Sequence, residues 1–102
     1  MNLIDLFTEI KEENLTRDRL EKYEQELSSI YSMMMIRIAV LKKSRAMYFY
    51  AKEQEHPELP DVKIRRLYEI TDEGQELIQK EAEVKAVSRM LSSIKSRIFQ
   101  QY

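Results

Sequence analysis

Apolar side chains recur along most of this chain at the three- and four-residue spacings of an α-helix, and no useful stretch alternates with the two-residue period of a strand. The pattern opens with Leu3, Leu6, Phe7 and Ile10, with Asn2 placed as an N-cap, and predicts a short amphipathic helix. Lys11 to Leu15 is largely polar and is expected to bend the chain. Thr16 then offers an N-cap, with Asp18 in the first turn at the positive end of the helix dipole. A second helix is predicted from Arg17 to Gln54, with an apolar seam of Leu20, Tyr23, Leu27, Ile30, Met34, Leu41, Tyr48 and Ala51. A repeat near 3.5 residues held that long implies a helix packed along its length, with Arg37 and Ser44 interrupting the seam.

Within that helix, Ile30–Leu41 is apolar on nearly every side, which calls for cover on more than one face. One partner helix in a short chain cannot supply that cover. Self-association is therefore expected, through Ile30, Met34, Ile38 and Leu41 together with Leu91, Ile94 and Ile98; a single three-helix core is the alternative. His56 and Leu59 precede prolines, so 55–61 should break the helix. Val62–Ile70 can add two turns through Ile64, Leu67 and Tyr68. Thr71 or Asp72 then caps a last helix, Asp72–Gln100, with a seam of Leu77, Val84, Val87, Leu91, Ile94 and Ile98. The expected fold is all-α: one helical domain over 1–102, made of an N-terminal segment (1–15), a long helix (16–54), a proline turn (55–61) and a short plus a long helix (62–102). The two long helices form an antiparallel hairpin, assembled into a helical oligomer.

Composition narrows the chemistry. The chain has 102 residues, one Gly and no Cys, so phosphate loops, nucleophile elbows, disulfides and thiolate metal sites find no support. His56 is the single histidine and lies in the proline turn, away from Ser92, Ser93 and Ser96, which leaves no nucleophile–base pair. Exposed carboxylate pairs such as Glu12/Glu13 and Glu81/Glu83 are expected to be solvated, so no enzyme, metal or cofactor is expected. There is no apolar run of ~18 residues to span a bilayer, and the start of the chain carries acid where a secretory signal needs base. A cytoplasmic protein is expected.

Charge is nearly balanced, with 17 bases and 18 acids, but unevenly distributed. Residues 1–30 hold eight acids against four bases. From Leu27 to Lys52 there is no acid beside Arg37, Lys42, Lys43, Arg45 and Lys52, and from Val84 onward none beside Lys85, Arg89, Lys95 and Arg97. Two acid-free windows suggest an anionic partner, or else ordinary solvated helix faces. The first window runs Lys42-Lys43-Ser44-Arg45-Ala46-Met47-Tyr48-Phe49-Tyr50, placing cations beside aromatics. Cations that neutralise phosphate and rings that stack on bases are the means by which single strands are held. Lys42 with Arg45, and Arg45 with Phe49, can share a helix face, while the Met33–Met35 run reads as core or interface.

Lys43-Ser44-Arg45-Ala46-Met47-Tyr48-Phe49 resembles the Lys-x-Arg-x-x-Tyr-aromatic segment of the UvsY-type recombination mediators of T-even and related phages. Ile94-Lys95-Ser96-Arg97-Ile98-Phe99 is similar to the Ile-Lys-Ser-Arg-x-Phe stretch near that family's C-terminal end, in the same order. The resemblance runs from about Tyr31 onward and does not extend to the first 30 residues. It departs in this chain's shorter length, in Ile98 at a glycine position, and in having only Gln100–Tyr102 after Phe99. It implies a helical oligomer that binds single-stranded DNA and helps load a RecA-like recombinase onto strands covered by single-strand-binding protein, in a host cytoplasm if phage-encoded. By position, Lys43 and Arg45 would contact phosphate, with Lys95 and Arg97 as secondary candidates; the residue reading adds Lys42 and Phe49. The competing expectation is a helical protein–protein adaptor or phage-encoded inhibitor with no nucleic-acid role.

Overall fold

Arg17 to Glu55 contains neither glycine nor proline, and the chain uses all of it as one α-helix of 39 residues. The structure is a computed structural model that describes residues 2–11 and 15–100. Its elements are α1 (Leu3–Ile10), α2 (Arg17–Glu55), α3 (Asp61–Glu69) and α4 (Asp72–Gln100), with no strand among the described residues. The all-α expectation holds, and the helix boundaries fall within a residue of those read from the sequence. The expected bend after Lys11 falls at 12–14, outside the described residues.

The caps follow the sequence closely. Asn2 accepts a hydrogen bond from the Asp5 backbone at 2.8 Å, and the Thr16 hydroxyl accepts one from the Arg19 backbone at 3.3 Å. At α4 the Thr71 hydroxyl accepts from Gly74 N at 3.0 Å and donates to the Tyr68 carbonyl at 2.6 Å. The Gln75 side-chain amide reaches back to donate to the Glu69 carbonyl at the end of α3.

Packing divides the chain into two compact units. The first combines α1 with α2 up to Met33 and α4 from Val84. Its interior holds Leu6, Ile10, Leu15, Leu20, Tyr23, Leu27, Val87, Ile94 and Ile98. Two polar ties fasten α1 there. The Tyr23 hydroxyl donates to Glu9 Oε2 at 2.9 Å, and Arg97 Nη1 donates to the Ile10 carbonyl at 2.6 Å. The second unit, 34–83, buries Ile38, Leu41, Ile64, Tyr68 and Leu77. Arg37 meets Glu76 and Ser44 meets Glu73, opposite orders along the two helices that show α2 and α4 to be antiparallel.

The apolar seam of α2 differs from expectation midway. After Leu20, Tyr23, Leu27, Ile30 and Met34, the next inward residue is Ile38 rather than Arg37, four positions on instead of three. This is a stutter, and it swings Arg37 outward to Glu76. The same geometry corrects the expected oligomer surface. Ile38, Leu41, Ile94 and Ile98 are buried within one chain, so they have no area left to bury against another copy. Ile30, Met34 and Leu91 are half-buried. What the apolar girdle leaves in water is Met33, Met35, Ile36 and Val40.

The single glycine marks the tightest approach in the second unit. A Cβ at Gly74 would fall well inside contact distance of the Tyr68 carbonyl oxygen and 2.9 Å from Glu69 Cα. Tyr68 itself packs at 5.4 Å from the Tyr48 ring and donates to the Leu41 carbonyl at 3.2 Å. Gly74→Ala would gain ~1 kcal/mol of helix propensity, yet it must push the α3–α4 junction apart. A net loss of about 2 kcal/mol is expected in urea unfolding; equal or greater stability than wild type would show the junction to be looser than described.

Candidate nucleic-acid interface

At about 100° per residue, Lys42, Arg45 and Phe49 lie on neighbouring sides of α2, whereas Lys43 points roughly opposite to Arg45. Burial agrees with this division. Lys42 and Lys43 are exposed, while Arg45 and Phe49 are half-buried where α2 faces α3 and α4. Within one copy, therefore, the phosphate candidates of the UvsY-like segment do not form one surface. Arg45 and Phe49 share an open groove of about 650 Å3 in the second unit, with Tyr50 and Arg65 also on its walls and Leu77 and Tyr68 beneath. Glu53, Glu69 and Glu81 line it too. A groove that mixes two guanidiniums with three carboxylates discourages phosphate from entering and leaves its aromatic walls to planar or apolar groups.

The acid-free window of α2 is not acid-free in the fold. Arg37 grips Glu76 through two hydrogen bonds, of 2.7 and 2.8 Å, and Ser44 donates to Glu73. Lys52 pairs with Glu55 at 3.7 Å and lies 5.6 Å from the Tyr48 ring centre. Counted over 34–83, nine bases face ten acids. Lys42, Lys43 and Arg45, by contrast, make no ion pair among the described residues. The sequence held a signal for the neutralising acids: in an antiparallel hairpin the acidic start of α4 must come to rest beside the basic half of α2.

The second motif separates in the same way. Lys95 is exposed beside a shallow groove of about 330 Å3 lined by Ser28, Tyr31, Ser32, Ser88, Leu91 and Ser92. Arg97 is half-buried and its guanidinium supplies a donor to the Ile10 carbonyl at the end of α1, where helical carbonyls lack partners of their own. That contact is structural and engages Nη1 of the guanidinium. Phe99 is exposed.

Titration follows these contacts. Burial pushes the Tyr68 phenol above its ordinary value, Glu73 adds to the rise and Arg45 opposes it. Burial likewise raises Tyr23, helped by its hydrogen bond to Glu9. The hydrogen bond from Arg37 holds the Glu76 carboxyl below its usual range, and the same bond raises Arg37.

Among the described residues no His, Cys, Asp or Glu cluster is placed to hold a metal, and no helix is long and apolar enough to cross a membrane. No protein-family model matches the chain, and no curated protein or solved structure matches it.

Because Glu76 titrates lower folded than unfolded, its contribution is present above the ordinary carboxylate range and is lost as pH falls through the folded value. In Arg37→Gln the Glu76 midpoint should move up toward the ordinary carboxylate value, read by NMR titration of the side-chain carboxyl. An unmoved midpoint would mean that the pair does not form in solution.

Proposed function

We propose that this chain is a recombination or replication accessory protein that binds single-stranded DNA and helps load a RecA-like recombinase. The observation that carries the reading is selective pairing. Within the acid-free window of α2 the fold engages Arg37 and Lys52 with carboxylates and leaves Lys42, Lys43 and Arg45, the cations of the UvsY-like segment, without an ion-pair partner among the described residues. Arg45 provides positive charge on the groove wall, Lys42 lies exposed on a neighbouring side of α2 three residues before it, and Phe49 provides a ring in the groove for a base to stack on. The glutamates within the groove favour an arrangement in which phosphates follow the rim and bases turn inward. Two cations per copy give slight affinity, so repetition of the surface through self-association supports useful binding by raising the effective concentration of each further contact.

A second reading is that of a helical protein–protein adaptor or inhibitor. It is favoured by the near-cancellation of charge over 34–83 and by apolar side chains that remain exposed on α2. Both readings are non-enzymatic.

Anisotropy titrations of a labelled oligothymidine across a salt series separate the two. Log affinity should fall with log salt by about 0.7 per phosphate contact, so Lys42→Ala/Arg45→Ala should reduce the slope by about 1.4. Phe49→Ala should weaken binding roughly tenfold with little change of slope. Absence of binding at low salt, or equal slopes for wild type and the double variant, assigns the chain to the adaptor reading.

A further inference from the structure

The buried stripe of α2 has an unburied counterpart on the other side of the same helix. Ile36, Val40, Met47 and Tyr50 are 67%, 52%, 65% and 66% exposed, and Lys43 occupies the position between Val40 and Met47. The spacing 36, 40, 43, 47, 50 alternates four and three residues, which is the a/d spacing of a coiled-coil seam. Exposed Ala39, Ala46 and Ala51 flank it, short enough to let another helix approach closely. In a chain of which 34% is charged, this side carries the charge of Lys43 alone. No contact among the described residues covers this row.

We infer that this row is a self-association face, on which a second copy of the chain lays the same row across a two-fold axis. The choice of occupant rests on charge and area. A strongly basic partner helix would find nothing here to pair with and a strongly acidic one only Lys43, whereas a second copy brings a row that is apolar but for the same single charge, and a two-fold contact needs only one self-complementary patch. The four side chains and flanking alanines leave on the order of 500 Å2 of apolar surface, the size of the largest patch on a typical monomer, which is often functional. Two copies together would bury roughly 1,000 Å2, the lower bound for a specific interface and the province of weak dimers. Lys43 then lies in the seam, its alkyl stem packed between the helices and its ammonium turned to the rim. Its charge limits the affinity, and its role is in assembly rather than on phosphate.

Sedimentation equilibrium without DNA, from about 1 to about 300 µM, brackets the micromolar dissociation constant expected of such a contact. Wild type should pass from monomer to dimer over this range. Val40→Glu/Met47→Glu should remain monomeric with unchanged helical circular dichroism, since both side chains are already in water. Lys43→Leu should tighten the dimer about tenfold or more by completing the seam. Ile70→Glu, which removes an equally exposed apolar group away from the row, should leave the dimer as it is. A wild-type monomer at every concentration overturns the inference, and so does association that survives Val40→Glu/Met47→Glu. The readout is mass alone, so either result leaves the single-strand reading to its own salt titration.

Discussion

The reversal between Glu55 and Asp61 decides where every charge of the second unit comes to rest. Pro57 and Pro60 keep His56 and Leu59 out of helical conformation, and α2 closes with His56 N bonded to the Lys52 carbonyl at 2.8 Å. Pro60 is extended, and its carbonyl accepts from Lys63 and Ile64 to begin α3. The returning chain reaches α4 through the Tyr68–Gly74 junction, which only a residue without Cβ can complete. From there the acidic first turns of α4 lie beside the basic half of α2. Arg37 and Ser44 are the residues they meet.

That meeting changes what the basic window means. As a linear segment it is a run of positive charge. In the fold it is a pairing surface from which three cations are left over. Those three do not act together within one copy, because two residues along a helix is nearly a half-turn. Arg45 lines the groove of Phe49 with Lys42 exposed on a neighbouring side, and Lys43 lies in the exposed row of Ile36, Val40, Met47 and Tyr50. The proposed nucleic-acid surface around Arg45 and Phe49 and the proposed self-association face from Ile36 to Met47 meet at Tyr50, which also lines the groove, and the second would multiply the first.

Much of the fold was legible because it is local. Asn2, Thr16 and Thr71 announce helix starts by their hydroxyl or amide caps, and the two prolines announce the break. The seam of α4 kept its register, with Leu77, Val87, Ile94 and Ile98 all inward. The seam of α2 was legible through Met34 and again at Leu41 and Tyr48, but it missed Ile38, which turns inward beside the interruption at Arg37. There, both Arg37 and Ile38 were spatially available for the inward position, and hydrogen bonding to Glu76 on another helix settled the choice. The candidate site was legible as a set of residue types but not as a surface. Arg97 read as a phosphate ligand in its motif, and only the fold shows its Nη1 donating to the end of α1, 87 residues earlier.

The amino-acid order by itself determined the helices, their caps, the reversal and the all-α class, since each depends on interactions within a few residues. It also determined that Ile30–Leu41 would exceed what one neighbour can cover. Tertiary structure alone decided which of those side chains went inside, because burial is a property of the neighbour as well as of the residue. Ile38 and Leu41 found cover in the second unit, while Ile36 and Val40 did not. It likewise decided which cations stayed unpaired, since an ion pair needs a carboxylate within a few ångströms and sequence distance says nothing of that across 39 residues.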